Sequence, residues 1–236
     1  ITFPKGPNWF FIFQGDPREP IGHDEIESCA NDSRKALGIG LGPISNVTLL
    51  LEKNGIVLGR APKVSPDVDA CSRRKGERAF VLLGLSKTAV RHRFDVAHEL
   101  GHLILHHRIT MADLAGDPTM TDRLEAEAHA FAGAFLLPRM SFVQEFVGLE
   151  LDSLVRMKSR WKVSVSALGG RAYDLGLVGE SAFRRFHAQL SARGWRLREP
   201  LDQEIPSEAP SMLGKAVKLL LREGVLSKSD LFRGLG

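Results

Sequence analysis

The 236-residue chain is poor in cysteine and tyrosine, with two and one respectively. Cys29 and Cys71 form no C-x-x-C pair. That excludes a disulfide-stapled scaffold and a thiolate zinc site, and it predicts free thiols in a reducing compartment, the cytoplasm. No apolar run approaches the 18 or so residues that a membrane span needs, so no membrane is expected. Internal repeats and low-complexity tracts are also missing. Residues 1–15 lack the charged start and continuous apolar stretch of a signal peptide. They are aromatic, broken by Pro and Gly, and end Phe13-Gln14-Gly15, similar to the tail of a tag-cleavage site. Residues 1–20 are therefore set aside as an expression remnant or linker.

What the chain does have is His98-Glu99-Leu100-Gly101-His102. It reads H-E-x-x-H inside a segment, Arg91 to His107, with helical patterning. Residues four apart share a helix face, so His98 and His102 can point two imidazoles at one divalent ion. Glu99 follows the first ligand and stands beside the ion as a base for the water that the ion activates. Phe94, Val96, Ala97, Leu100, Leu103, Ile104 and Leu105 make this helix apolar over most of its circumference. Such a helix is buried, and buried imidazoles need partners. Gly101 in a helix interior costs about 1 kcal/mol relative to Ala, which points to close approach of another backbone or a ligand.

A catalytic zinc takes three protein ligands and keeps one position open. The extended form H-E-x-x-H-x-x-G-x-x-H is excluded, because Leu105 and Arg108 stand where Gly and His are required. His106 and His107 lie too far along the axis to join both other ligands, and they are expected in solvent at the helix end. The next helix, ended by Pro138, carries Glu125 and His129 on one face. Glu125 is taken as the third ligand, with His129 as an orienting or substrate-contacting group; the swap of these two is the rival. Glu127 lies off that face and is expected in solvent. Ala128, Ala132 and Gly133 are small enough to let the two helices lie close.

Arg93-Phe94-Asp95-Val96-Ala97-His98-Glu99-Leu100-Gly101-His102, followed by Glu125-Ala-Glu-Ala-His-Ala-Phe-Ala and Phe135-Leu-Leu-Pro138, resembles the ImmA/IrrE family of bacterial zinc metallopeptidases. That family pairs R-F-x-x-A-H-E-x-G-H with E-x-x-A-[N/D]-x-F-A-x-x-L-L-x-P. The stretch from Trp161 to Leu177 is similar as well, so the likeness covers about residues 22–180. The resemblance implies a zincin-like peptidase with one Zn2+ on His98, His102 and Glu125, and Glu99 as general base. It implies as substrate a helix-turn-helix repressor of stress or mobile-element genes. The chain departs from the pattern at His129, where the family has Asn or Asp. His129 and Tyr173 are the candidates for an oxyanion donor. Residues 183–236 look like the tail of longer members that carry an N-terminal helix-turn-helix, and no such domain is visible before residue 22.

The fold expected is α+β and zincin-like: mostly helical, with a small three-stranded sheet beside the His-bearing helix and a helical C-terminal region. Residues 21–150 form the peptidase domain, 151–180 a helical pair, and 181–236 a basic helical region. Strands are expected at Ile56–Arg60, Val68–Ser72 and Arg78–Leu83, the last two joined by a charged turn, Arg73 to Glu77. Strand 78–83 is assigned to hold substrate by strand addition, with a plain core strand as the equal rival. Residues 108–121 read as a polar connection bordering the cleft. The helical pair Leu151–Arg160 and Ser164–Leu175 has helix-turn-helix spacing and five basic residues, but the reading preferred is a pair closing the core. Pro200 to Pro210 reads as an acidic loop or linker.

Net charge is +4 and uneven: residues 151–236 carry 15 Lys+Arg against 9 Asp+Glu, leaving 17 against 19 in the first 150. The basic half, or a DNA-binding domain outside this chain, is the expected place for nucleic-acid contact. Two functional readings follow. The first is a zinc endopeptidase acting on a regulatory protein. The second is a non-catalytic metal-binding regulator, or a toxin–antitoxin or stress-partner module that binds without cleaving.

Overall fold

The computed structural model describes residues 12–61, 70–76, 78–84, 88–117, 119–227, 229–230 and 233. In chain order the elements are α1 (His23–Ala36), α2 (Val47–Lys53), β1 (Val57–Ala61), β2 (Ala70–Lys75), β3 (Arg78–Gly84), α3 (Ala89–Leu105) and α4 (Met111–Gly116), then α5 (Met120–Leu136), α6 (Arg139–Glu145), α7 (Leu151–Trp161), α8 (Val165–Asp174), α9 (Glu180–Ala192) and α10 (Met212–Arg222). This is the expected α+β zincin-like arrangement, with one small sheet among helices. No helix among the described residues is long and apolar enough to cross a membrane.

The sheet is ordered β1-β3-β2. β1 runs parallel to β3, with Val57 opposite Phe80, and β2 runs antiparallel to it, with Cys71 opposite Leu82. Alternation in β3 buries Ala79, Val81 and Leu83 and leaves Phe80 outward, the period-2 pattern of a half-covered sheet. Two expectations are corrected here. Strand 78–83 does not offer a free edge, because β1 and β2 pair with its two sides; β2 is the edge strand beside α3. Arg73, Arg74 and Lys75 belong to β2 rather than to a turn. A strand at an edge tolerates long charged side chains, which also discourage unwanted pairing. Val68, Asp69 and Glu77 of the expected strand and turn lie outside the described residues.

α5 is flanked by α1 and α3. Phe131, Ala132 and Phe135 are fully buried along it. Arg34 of α1 is buried and donates to the carbonyls of Gly40, Gly42 and Phe135, so the glycine-rich turn after α1 wraps a guanidinium. That satisfies a buried charge with backbone acceptors, as burial requires. In α7 and α8, Leu154, Trp161, Val165 and Leu168 are buried. Their basic residues do not form a free face. Lys158 is sequestered between Glu199 and Asp202, at 2.7 and 2.5 Å, Arg171 pairs with Glu27, and Arg160 pairs with Glu145.

Both flanks of this core are packed on it. Residues 12–20, part of the stretch set aside from the sequence, bury Phe13 and are clasped by Arg123, which donates to the carbonyls of Pro17, Arg18 and Glu19. Residues 1–11 lie outside the described residues. The acidic 200–210 stretch is a loop, but a docked one. Buried Glu208 pairs with buried Arg93 and accepts from the N–H groups of Val47 and Thr48 at the start of α2. Glu52 does the same at α10, accepting from Ser211 and Met212. Carboxylates at helix starts satisfy orphan N–H groups and favour the dipole. The polar connection 108–121 contains α4, begun by a Thr110–Asp113 capping box; Pro118 lies outside the described residues.

Candidate metal centre

The site is set by how close α3 and α5 come. A Cβ on Gly101 would meet Phe131 Cδ1 at 3.1 Å and the Cα and O of Ala128 at 3.2 Å. Glycine at 101 and alanine at 128 are what let the backbones approach this far, and the cost of glycine in a helix is thereby accounted for. The approach brings Glu125 of α5 opposite His98 and His102 of α3.

His98 Nε2 lies 3.0 Å from Glu125 Oε2 and 3.1 Å from His102 Nε2, and His102 Nε2 lies 3.3 Å from Glu125 Oε1. Tetrahedral bonds of about 2.0–2.1 Å to zinc place ligand atoms about 3.3 Å apart. The three donors therefore already stand at the spacing that one small ion requires, and they are the group among the described residues that fits a metal. Their protonation suits it too. Burial, then the neighbouring His102 ring, pushes His98 down to about 4. The contact with His102 holds Glu125 down to about 2 against the opposing effect of burial. Near neutrality the first is thus a neutral imidazole and the second a carboxylate, the forms that ligate.

Glu99 is buried beside β2, where Ser72 Oγ lies 3.4 Å from its carbonyl oxygen. Burial raises its carboxyl above the ordinary value. A carboxylate so destabilised takes up a proton more readily than one in water. His129 lies outside the group of three, on the same wall as His98 and Glu125 in an open cavity of about 540 Å3. Its ring rests 4.7 Å from that of Phe94. His129 and Asp174 also line an adjoining cavity of about 290 Å3, walled by Phe94, Gly133, Ala167 and Phe183. Tyr173 is not brought to either cavity; it stacks on Phe183 with centroids 4.4 Å apart.

Two residues expected in solvent are not there. His106 is 7% exposed and Glu127 6%. His106 lies outside the group of three and packs against His102 from behind: its Nδ1 lies 3.0 Å from His102 Nδ1. Its Nε2 lies 2.9 Å from Glu127 Oε2. The 98–102–106 spacing along one helix face was the available signal. His107 does stay at the helix end, against the Ile104 carbonyl.

A family model described as an IrrE N-terminal-like domain matches residues 51–173. No curated protein matches the chain. Among solved structures, a Mycobacterium tuberculosis transcriptional regulator aligns with 18% identity and a TM-score of 0.46, over 70% of this chain and 49% of that one. The chain thus spans about half the length of that neighbour.

Proposed function

We propose a function from one premise: the chain belongs to the Peptidase_M78 family, that of the IrrE N-terminal-like domain. Membership makes it a peptidase-like or regulatory domain. Within that, the reading best supported is a zinc-dependent endopeptidase that acts in the cytoplasm on a regulatory protein, a helix-turn-helix repressor being the expected substrate. The observation that carries it is the convergence of His98, His102 and Glu125 at 3.0–3.3 Å with a buried Glu99 beside them.

A bound zinc ion supplies Lewis acidity, lowering the pKa of a water toward about 7 and polarising a carbonyl. His98 and His102 would hold such an ion through ring nitrogens, and Glu125 would add one negative charge. Two imidazoles and a carboxylate suit zinc among the available divalent ions. Glu99, whose burial favours the protonated form, accepts the proton of the attacking water and returns it to the leaving amine. His129, on the wall shared with His98 and Glu125, is the donor assigned to the charge that develops on the carbonyl oxygen. Tyr173, stacked on Phe183, is left a packing role. The edge of β2 is the place for an extended substrate to add as a strand, and the 290 Å3 cavity is the place for a side chain next to the cleaved bond.

The rival reading, a regulator that binds its partner without cutting it, gains from five exposed arginines, 184, 185, 193, 196 and 198, on and after α9. Glu99→Gln separates the two. Zinc content is expected to stay at one ion per chain, while cleavage of a helix-turn-helix repressor that the parent cuts falls by at least about 100-fold. Cleavage at the parent rate would remove Glu99 from its role. Repressor binding without cleavage by the zinc-loaded parent would favour the regulator.

A further inference from the structure

Behind the ligands runs a buried line of contacts that a metal site alone does not call for. His102 turns Nε2 toward His98 and Glu125 and its other nitrogen, Nδ1, toward His106 Nδ1 at 3.0 Å. His106 Nε2 reaches Glu127 Oε2 at 2.9 Å. The other oxygen of Glu127 accepts from the Ile21 backbone N–H at 3.0 Å and from Arg123 Nη1 at 3.1 Å.

Counting protons along this line fixes which nitrogen carries each. The Ile21 amide and the Arg123 guanidinium can only donate, so Glu127 accepts from both. As a carboxylate it accepts from His106 too, which puts the His106 proton on Nε2. His102 Nε2, turned to Glu125 and His98, must keep its lone pair to ligate, so between the two facing nitrogens the acceptor is His106 Nδ1. Two nitrogens 3.0 Å apart share one proton, so His102 must supply it from Nδ1. The lone pair of His102 is left on Nε2, the atom facing Glu125 and His98. We propose that His106 and Glu127 are positioning residues that lock His102 in its Nδ1–H tautomer and aim Nε2 at the metal. The proposal rests on the metal-site reading given above. Neither residue touches substrate or ion.

The isosteric change Glu127→Gln makes the test sharp. Its oxygen must still face Ile21 and Arg123, so its NH2 group faces His106 and demands an acceptor there. His106 must then carry its proton on Nδ1, and His102 must move its own to Nε2, where it blocks ligation. The full chain, uniformly 15N-labelled and freed of metal, reports the tautomer directly through imidazole nitrogen shifts. The parent is expected to show His102 protonated on Nδ1, and Glu127→Gln to show it protonated on Nε2 or as a mixture. Zinc affinity, read by chelator competition, is expected to fall about 10–100-fold. His106→Phe keeps the ring and loses the acceptor, and is expected to weaken zinc; His106→Asn, whose oxygen can still accept from His102, is expected to recover part of the loss. A merely structural role would lower thermal stability without moving the tautomer. An unchanged His102 tautomer with parental zinc affinity in Glu127→Gln would overturn the proposal, as would a metal-free parent with His102 protonated on Nε2. Because the tautomer is read without metal, a parent that binds no zinc would sink the metal-site reading and leave this test standing.

Discussion

At Gly101, a single hydrogen in place of a methyl sets the distance between the helices that carry His98, His102 and Glu125. Adding the methyl gains about 1 kcal/mol of helix propensity but drives a Cβ to 3.1–3.2 Å from Phe131 and the Ala128 backbone. Overpacking of that kind costs about 1–3 kcal/mol. Gly101→Ala is therefore expected to lose about 1 kcal/mol of stability in urea unfolding and to bind zinc more weakly as α5 is pushed out. An equally stable variant would show that the helices part freely and that the close approach has another cause. The same residue shows what could be read from sequence. His98, His102 and Glu125 were legible because helical spacing fixes which residues share a face, and a mid-helix glycine announces a close neighbour. His106 and Glu127 were not legible as buried, because they satisfy each other across two helices and Glu127 is completed by the amide of distant Ile21. Polarity alone sends such residues to the surface, and their partners are visible only once the chain is folded.

Among the elements, the helices expected at Arg91–His107, before Pro138, at Leu151–Arg160 and at Ser164–Leu175 stand within a few residues of their apolar periodicity, whereas α6 went unread and the sheet did not yield its order. Three short strands of similar length carry no mark of which is central; β3 is central because its partners lie on both sides, a long-range fact. α4 went unread inside the polar connection because a six-residue helix has too few apolar positions to show a period. It stands instead on Asp113, which the Thr110 side chain, then the Thr110 backbone and Arg18, hold down to about 2. A carboxyl with a lowered folded-state pKa stabilises the fold above its ordinary value of 3.8 and loses that contribution as pH falls through about 2. Asp113→Asn is thus expected to flatten the fall in melting temperature between about pH 4 and pH 2. A slope as steep as the parent's would mean that the acid sensitivity arises elsewhere.

Across the whole molecule, buried ion pairs join segments far apart in sequence. Lys158 is fully buried against Glu199 and Asp202, and Glu199 also caps the start of α8 through Val165 and Ser166. Removing the ammonium leaves two carboxylates without their cation, so Lys158→Met is expected to cost about 3–5 kcal/mol in guanidinium unfolding. A loss below about 1 kcal/mol would mean that the carboxylates find water instead. Arg93 pairs with Glu208 in the same manner, and Glu127 accepts a hydrogen bond from the distant Ile21 backbone amide. The segment that matches the family, residues 51–173, contains Arg93, Glu127 and Lys158 but not the groups from residues 21, 199, 202 and 208 that answer them. Excised along those borders, the interior would lose the carboxylates that answer Arg93 and Lys158 and the Ile21 amide that Glu127 accepts from, so the matched middle is a keystone that needs both abutments.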